Sequence, residues 1–367
     1  MSIPNSEVLT TTAAPDERRP DTILVFGGGN ALGAYQAGAF EVLHERGYRP
    51  QHLVGASVGA VNAAIIAGNP PAERISKLRT YWENAASKTT DLALLPKQGY
   101  WRQVYNFAAS VQALALGRPS LYVPRFPGLW SALPGVPNDV ALYDQTPLRR
   151  TLERLIDFDL LARAEMKLTV AMTDVESGDE VYVSNTDSRI EPAHLLASTA
   201  FIPAFPPVEI DGRLLCDPGL TNNLPVDRVL NGPLARNTIC FALDLFDRRD
   251  ARPRSLDATV ERVQDLMFAC QSRRTIEHLL RLHDLRDHSG PAATTAVLVH
   301  LAYRATADEL GTKMFEFSPA SIRERWAAGR RDMEAALHDL ATDPPEWGRG
   351  LVYRGPMRAD QKRAIAA

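Results

Sequence analysis

Two short stretches of this sequence combine residue type and spacing in a way that could carry chemistry. One is Gly55-Ala56-Ser57-Val58-Gly59, the other Gly27-Gly28-Gly29-Asn30-Ala31-Leu32-Gly33. Ser57 stands between small residues, after the apolar Leu53-Val54 and before a small-residue helix at 60–68. A serine on such a strand-to-helix turn is lifted above the sheet and placed beside a helix N-terminus, which favours an oxyanion. The competing reading is a serine that merely caps the helix. In the glycine run, backbone N–H groups after a strand can cradle a phosphate or stabilise an oxyanion. A dinucleotide site expects an acidic residue at the end of the second strand, about 20 residues on. That strand ends in Leu53-Val54-Gly55 and runs into the serine turn, so the oxyanion reading is preferred.

A nucleophilic serine needs a base. Downstream stand His194, His278, His283, His288, His300 and His338, none in a short loop-like setting that marks it out. Asp217, in Leu215-Cys216-Asp217-Pro218-Gly219, ends a short strand in a turn, and Pro218 pushes it toward extended geometry. On spacing alone Asp217 reads equally well as a plain turn aspartate, so these residues leave the base open.

The elements around these stretches follow from hydrophobic pattern. Residues 22–26 and 52–54 read as buried strands, with helices over 34–47, 60–68 and 72–86. Two strand–turn–helix units in succession imply a parallel sheet with right-handed crossovers. Residues 166–175 and 179–184 read as a strand pair, 191–199 as a helix, and Asp211-Gly212 as a hairpin turn. A strand is expected at 238–246 and another at 296–304, then an amphipathic helix at 319–340. The aromatic segment 96–140 reads as ordinary packing or, more sharply, as a lid or mouth that binds an acyl chain.

The 367 residues carry a net charge of −3 with 45% hydrophobic content, which suits a globular chain and gives no electrostatic case for nucleic acid. Three scattered cysteines, Cys216, Cys240 and Cys270, read as free thiols in a reducing compartment. The polar start resembles no secretory signal, and no window reaches the roughly 18 apolar residues of a membrane span. A cytoplasmic protein is expected, with peripheral membrane contact proposed through the aromatic segment. The basic pairs Arg248-Arg249, Arg273-Arg274 and Arg330-Arg331 read as solvated faces.

Taken in order over residues 22–230, the glycine run, the serine turn and the Asp-Pro-Gly segment resemble the patatin-like phospholipase family. The likeness extends through residues 55–63, Ala197-Ser198, Phe205-Pro206-Pro207 and Asn223-Leu224-Pro225-Val226. Residues 315–329 are similar to an extension carried by one bacterial subgroup. The resemblance implies a three-layer α/β/α fold with a mainly parallel central sheet and a helical C-terminal extension. The expected organisation is a disordered leader at 1–20, a catalytic domain at 21–245, a mainly helical extension at 246–345 and a tail at 346–367. It further implies a Ser57–Asp217 dyad without histidine, cleaving lipid or other acyl esters through an acyl-enzyme, with no cofactor or metal. Backbone N–H groups of Gly28, Gly29 and Asn30 would form the oxyanion hole, and Gly27, Gly33, Gly55, Gly59 and Gly219 would shape the turns. Three positions depart from the family pattern: Asn30 replaces its third glycine, Leu32 its basic residue, and Pro218 a glycine. Asparagine tolerates positive φ better than other side chains. The missing cation at 32 points to a preference for less charged acyl esters over phospholipids. The alternative is a catalytically weakened member that binds lipid or a protein partner.

Overall fold

The computed structural model describes residues 20–86, 98–232, 234–249, 252–287, 294–348 and 350–356. The expected leader, apart from residue 20, and the end of the expected tail lie outside the described residues.

The chain opens with β1 (Asp21–Phe26), α1 (Ala34–Glu45), β2 (His52–Ala56), α2 (Val58–Ala67) and α3 (Arg74–Ala85). There follow α4 (Tyr100–Leu116), the ribbon strands β3 (Val123–Pro124) and β4 (Tyr143–Asp144), α5 (Thr146–Leu155) and α6 (Phe158–Ala162). Next come β5 (Lys167–Asp174), β6 (Glu180–Ser184), α7 (Pro192–Ser198), β7 (Val208–Ile210), β8 (Arg213–Cys216) and α8 (Asp227–Leu230). The last elements are β9 (Thr238–Asp244), α9 (Leu256–Asp287), β10 (Ala296–Ala302), α10 (Pro319–Thr342) and β11 (Leu351–Arg354).

The central sheet runs β11-β10-β9-β1-β2-β5-β8-β7, with β6 also on β5. From β11 to β5 every pair is parallel; β6 and β8 join β5 antiparallel, and β7 joins β8 antiparallel. Successive side chains of the central strands leave on opposite faces. Leu24, Phe26, Phe241, Leu243, Val297 and Val299 belong to one core, together with residues of α1, α2 and α10. Ile23, Val25, Cys240, Ala242, Ala296 and Leu298 belong to the other, with residues of α8 and α9. Both faces are therefore covered, which gives three layers and explains the unbroken apolar runs in these strands.

The sheet does not stop at residue 245. β10 pairs with β9 over its whole length, and β11 pairs with β10. Leu351–Arg354, expected as tail, is thus a strand: four residues carry too little pattern to be read alone, and pairing with β10 completes them.

On one face α10 crosses α1 with backbone in contact. A Cβ added to Gly38 would lie 2.0 Å from Trp326 O, and one on Gly329 would lie 1.8 Å from Tyr35 O. Only glycine permits this approach from both sides. Beside the crossing, the fully buried Arg325 of α10 donates to Glu309 at 2.9 Å, to Glu316 at 3.4 Å and to the carbonyl of Ala31 at 3.2 Å. The last bond ties α10 to the glycine run. Arg325→Met strands two buried carboxylates, so we expect a loss of about 3–5 kcal/mol. Urea unfolding followed by far-UV circular dichroism measures it, and an unchanged midpoint would show that this cluster is dispensable.

Candidate active site

Ser57 occupies the turn between β2 and α2 with φ 55 and ψ −129, a strained backbone for a side chain with a Cβ. Its side chain makes no capping bond to the helix, so the simple cap reading does not hold. The turn is forced by close packing. A Cβ on Gly59 would lie 2.3 Å from the carbonyl oxygen of Phe26, at the end of β1. Gly28 abuts the serine itself, since a Cβ there would lie 2.9 Å from Ser57 Cβ. The N–H of Ser57 donates to Ser198 Oγ at 3.0 Å, which brings α7 against the turn.

Buried amides hold the glycine run in place. Gln36 of α1 donates to the carbonyls of Gly27 at 2.7 Å and Leu243 at 3.0 Å. Asn62 of α2 donates to Gln36 Oε1 at 3.0 Å and to Gly33 O at 2.9 Å, and accepts from Trp82 Nε1 at 3.1 Å. Sequence reasoning missed Gln36 and included Asn62 only within the 55–63 likeness. The available signal was a lone amide in each of two otherwise small, apolar helices.

Two expectations about this run are corrected. The N–H of Gly28 is not a free oxyanion donor, because it bonds Asn223 O at 3.1 Å, while Asn223 Nδ2 bonds Gly28 O at 3.2 Å. Leu32 is fully buried in the core shared by α1 and α2, so a cation at that position would not face the cleft. Gly29 and Asn30 do line the cleft, Asn30 with φ 51, and among the described residues neither N–H has a protein acceptor.

Asp217 follows β8 with φ −59 and ψ 129, the extended geometry that a following proline favours. Its carboxylate accepts from the Gly219 N–H at 2.8 Å, and the Ser57 side chain stands beside it in the same cleft. Gln271 of α9 supports this loop, donating to Gly219 O at 3.0 Å and accepting from Asn223 N–H at 3.1 Å. Burial pushes the Asp217 carboxyl up to about 7, against the opposing pull of Ser57 and Gly219.

A cleft of about 700 Å³, counting the part open to solvent, lies over these residues. Its walls include Tyr81, Leu121, Tyr122, Leu148, Phe205 and Phe268, and Met314 and Phe315 close it from the C-terminal segment. Among the described residues Asp217 is its single charged lining residue, and no histidine lines it. His194 sits in the capping box of α7, His278 and His283 lie on α9, His300 on β10 and His338 on α10. His288 lies outside the described residues.

The raised carboxyl has a consequence for stability. An aspartate whose folded value exceeds its usual 3.8 stabilises the fold when protonated, and that contribution is lost as pH rises through 7. Asp217→Asn should therefore melt above the parent at pH 8, with the difference vanishing near pH 4. Calorimetry at the two pH values checks this; an asparagine variant less stable at pH 8 would contradict it.

Comparison with known proteins agrees with the reading from residues. Residues 24–230 match the family described as patatin-like phospholipase, and residues 260–346 match one described as patatin phospholipase. An uncharacterized NTE family protein of Mycobacterium tuberculosis is 26% identical over 242 residues, covering 66% of this chain and 54% of the relative. The chain thus spans about half the length of that relative. An uncharacterized protein of Bacillus subtilis, YqhO, is 44% identical over 54 residues, 15% of this chain and 19% of the relative. Among solved structures, VipD from Legionella pneumophila aligns with a TM-score of 0.40 at 13% identity, over 87% of this chain and 67% of that one. The type III effector protein ExoU aligns with a TM-score of 0.36 at 17% identity, over 87% and 53%. With more than half of its residues matched by one family, the chain belongs to the patatin-like phospholipases.

Proposed function

We propose that the protein is a serine acyl-ester hydrolase of the lipase type, working through a Ser57–Asp217 dyad. The observation that carries this is a serine at φ 55 beside a buried carboxylate raised to about 7, in one apolar cleft. A base near neutrality is the strength this proton transfer requires. Ser57 Oγ attacks the acyl carbonyl as Asp217 takes its proton. The N–H groups of Gly29 and Asn30 receive the developing oxyanion, each worth about 3 kcal/mol in barrier height. When the tetrahedral intermediate collapses, Asp217 returns the proton to the leaving alcohol. A water activated by the same carboxylate then hydrolyses the acyl-enzyme.

The cleft supports uncharged acyl esters as substrates. Its apolar walls suit an acyl chain, and among the described residues it offers an anionic headgroup no cation.

In this reading the enzyme is cytoplasmic and meets lipid at a membrane surface. Among the described residues no helix is long and apolar enough to cross a membrane. Support for surface contact comes from α4, which is amphipathic in the inverted sense. Its buried face carries Arg102, Asn106 and Ser110, with Ala109 and Ala113. Its outer face shows Tyr100, Trp101, Val104, Phe107 and Val111, with Trp101 64% and Phe107 56% exposed. On α9, Leu256, Val260, Val263 and Met267 recur at helical spacing and are likewise exposed. Both helices clasp the segment that carries Met314 and Phe315 at the cleft: Asn106 bonds Asp308 O and Gln264 bonds Gly311 O. Apolar helix faces of this kind insert into a lipid interface.

Ser57→Ala and Asp217→Asn should each lower kcat/KM for a p-nitrophenyl ester by about 10³-fold or more. Activity retained in either variant would remove the dyad. The parent's kcat/KM should rise tenfold per pH unit below 7 and level off above it. A short p-nitrophenyl ester should be hydrolysed faster than phosphatidylcholine, and the reverse order would refute the preference for uncharged esters. Sedimentation with liposomes should fall at least severalfold in a Trp101→Ser/Trp130→Ser variant; unchanged sedimentation would dispose of the surface contact.

A further inference from the structure

A second cleft, of about 980 Å³ counting its solvent-open part, lies at the carboxyl ends of β9 and β10. Crevices outside the carboxyl ends of parallel strands are the usual ligand sites of open α/β sheets. Its chemistry is the opposite of the first cleft. Arg248, Arg249, Arg273 and Arg304 line it, although the basic pairs are far apart in sequence. The fold gathers them: the chain leaves β9 at Asp244, α9 carries Arg273, and Arg304 follows β10.

The acids in the lining are each engaged. Asp247 takes Arg304 at 2.7 Å, Glu277 takes Arg273 at 2.9 Å, and Asp244 bonds His300 at 3.3 Å and the Phe246 N–H at 3.2 Å. His300 is braced on its other side by the Tyr353 hydroxyl at 3.1 Å. Arg248 and Arg249 remain: both are exposed, and among the described residues neither guanidinium has a hydrogen-bonding or ion-pair partner. Two uncompensated cations thus stand at the rim. Behind them the wall is apolar, with Phe246, Ala269, Ile276, Leu280 and Ala302. Phe246 stacks on Phe268, ring centroids 4.6 Å apart, and Phe268 lines the first cleft, so this stacked pair stands between the two.

We propose that this cleft binds an anionic amphiphile, with a carboxylate or phosphate head on Arg248 and Arg249 and an alkyl chain along Phe246, Ile276 and Leu280. Guanidinium groups present paired donors to either head, and charge-assisted bonds of this kind are the strong ones. The site does not depend on turnover at Ser57. A released fatty carboxylate and a phosphate-headed lipid share the required chemistry, and the probes below separate them.

The test is calorimetry on the full chain carrying Ser57→Ala, titrated with decyl phosphate, decanoate, decanol and inorganic phosphate, each below its micellar concentration. Decyl phosphate or decanoate should bind saturably, and the tighter of the two identifies the head. Decanol and inorganic phosphate should each bind at least about tenfold more weakly. Arg248→Ala/Arg249→Ala should weaken the anionic amphiphile by about tenfold or more, and these exposed positions leave the fold intact. Leu280→Trp, which fills the apolar wall, should weaken it similarly; if that variant fails to fold, the arginine pair decides alone. Equal affinity in the arginine variant, decanol binding as tightly as the anions, or no saturable binding would each overturn the proposal.

Discussion

The constraint on which the rest depends is the approach of α2 to the end of β1. With no side chain at Gly59, the helix start lies against the carbonyls of Phe26 and Gly27. The chain entering from β2 can reach that position only through a sharp turn, and Ser57 takes the left-handed conformation that results. Strain of this kind persists only where the surroundings over-determine it. Here they do: Ser198 holds the serine N–H, and the Gln36–Asn62–Trp82 chain of amide bonds fixes the glycine run opposite. The hydroxyl is therefore presented without any bond to its own helix. The same packing that builds the three layers places it in the cleft that Asp217 also lines.

Electrostatics in the first cleft follow from burial more than from charge pairing. Among the described residues no cation lines the cleft around Asp217, and its carboxylate takes the N–H of Gly219 with Ser57 nearby. Desolvation consequently outweighs their pull and raises the carboxyl toward neutrality. An arginine placed there would lower the carboxyl and steady the fold, and under the proposed mechanism it would weaken the base. In that mechanism stability and reactivity are opposed at this residue.

How much of this was legible in the sequence depended on whether a feature was local. The strand–turn–helix units read directly because their apolar runs and small-residue turns are contiguous. The Asp211-Gly212 hairpin read from two residues, which take φ 51 and 74 as such a turn demands. The start of α7 was legible too, and Glu191 and His194 form its capping box. What failed were properties set by partners distant in the chain. Gly28 loses its free N–H to Asn223, nearly 200 residues away, and nothing in the glycine run signals that. Leu32 was read against the cleft, but the short 3₁₀ turn of residues 30–33 rotates it into the core. The aromatic residues of the 96–140 segment fitted either packing or a lid. Only the burial of Arg102 against α10 and of Asn106 against the loop before it shows that the helix turns its polar side inward.

The C-terminal segment also changes meaning once its contacts are known. A helical addition packed on a finished domain could be removed with little effect on the site. Here Gln271 bonds both sides of the Asp217 loop, Arg325 reaches the carbonyl of Ala31 beside Asn30, and Met314 and Phe315 close the cleft. β10 completes the pairing of β9, the strand whose Leu243 carbonyl anchors Gln36. The position of the glycine run and the setting of the Asp217 carboxylate therefore both rest on residues beyond 260. Residues 24–230 contain the groups that would react, but the geometry that would make them react belongs to the whole described chain.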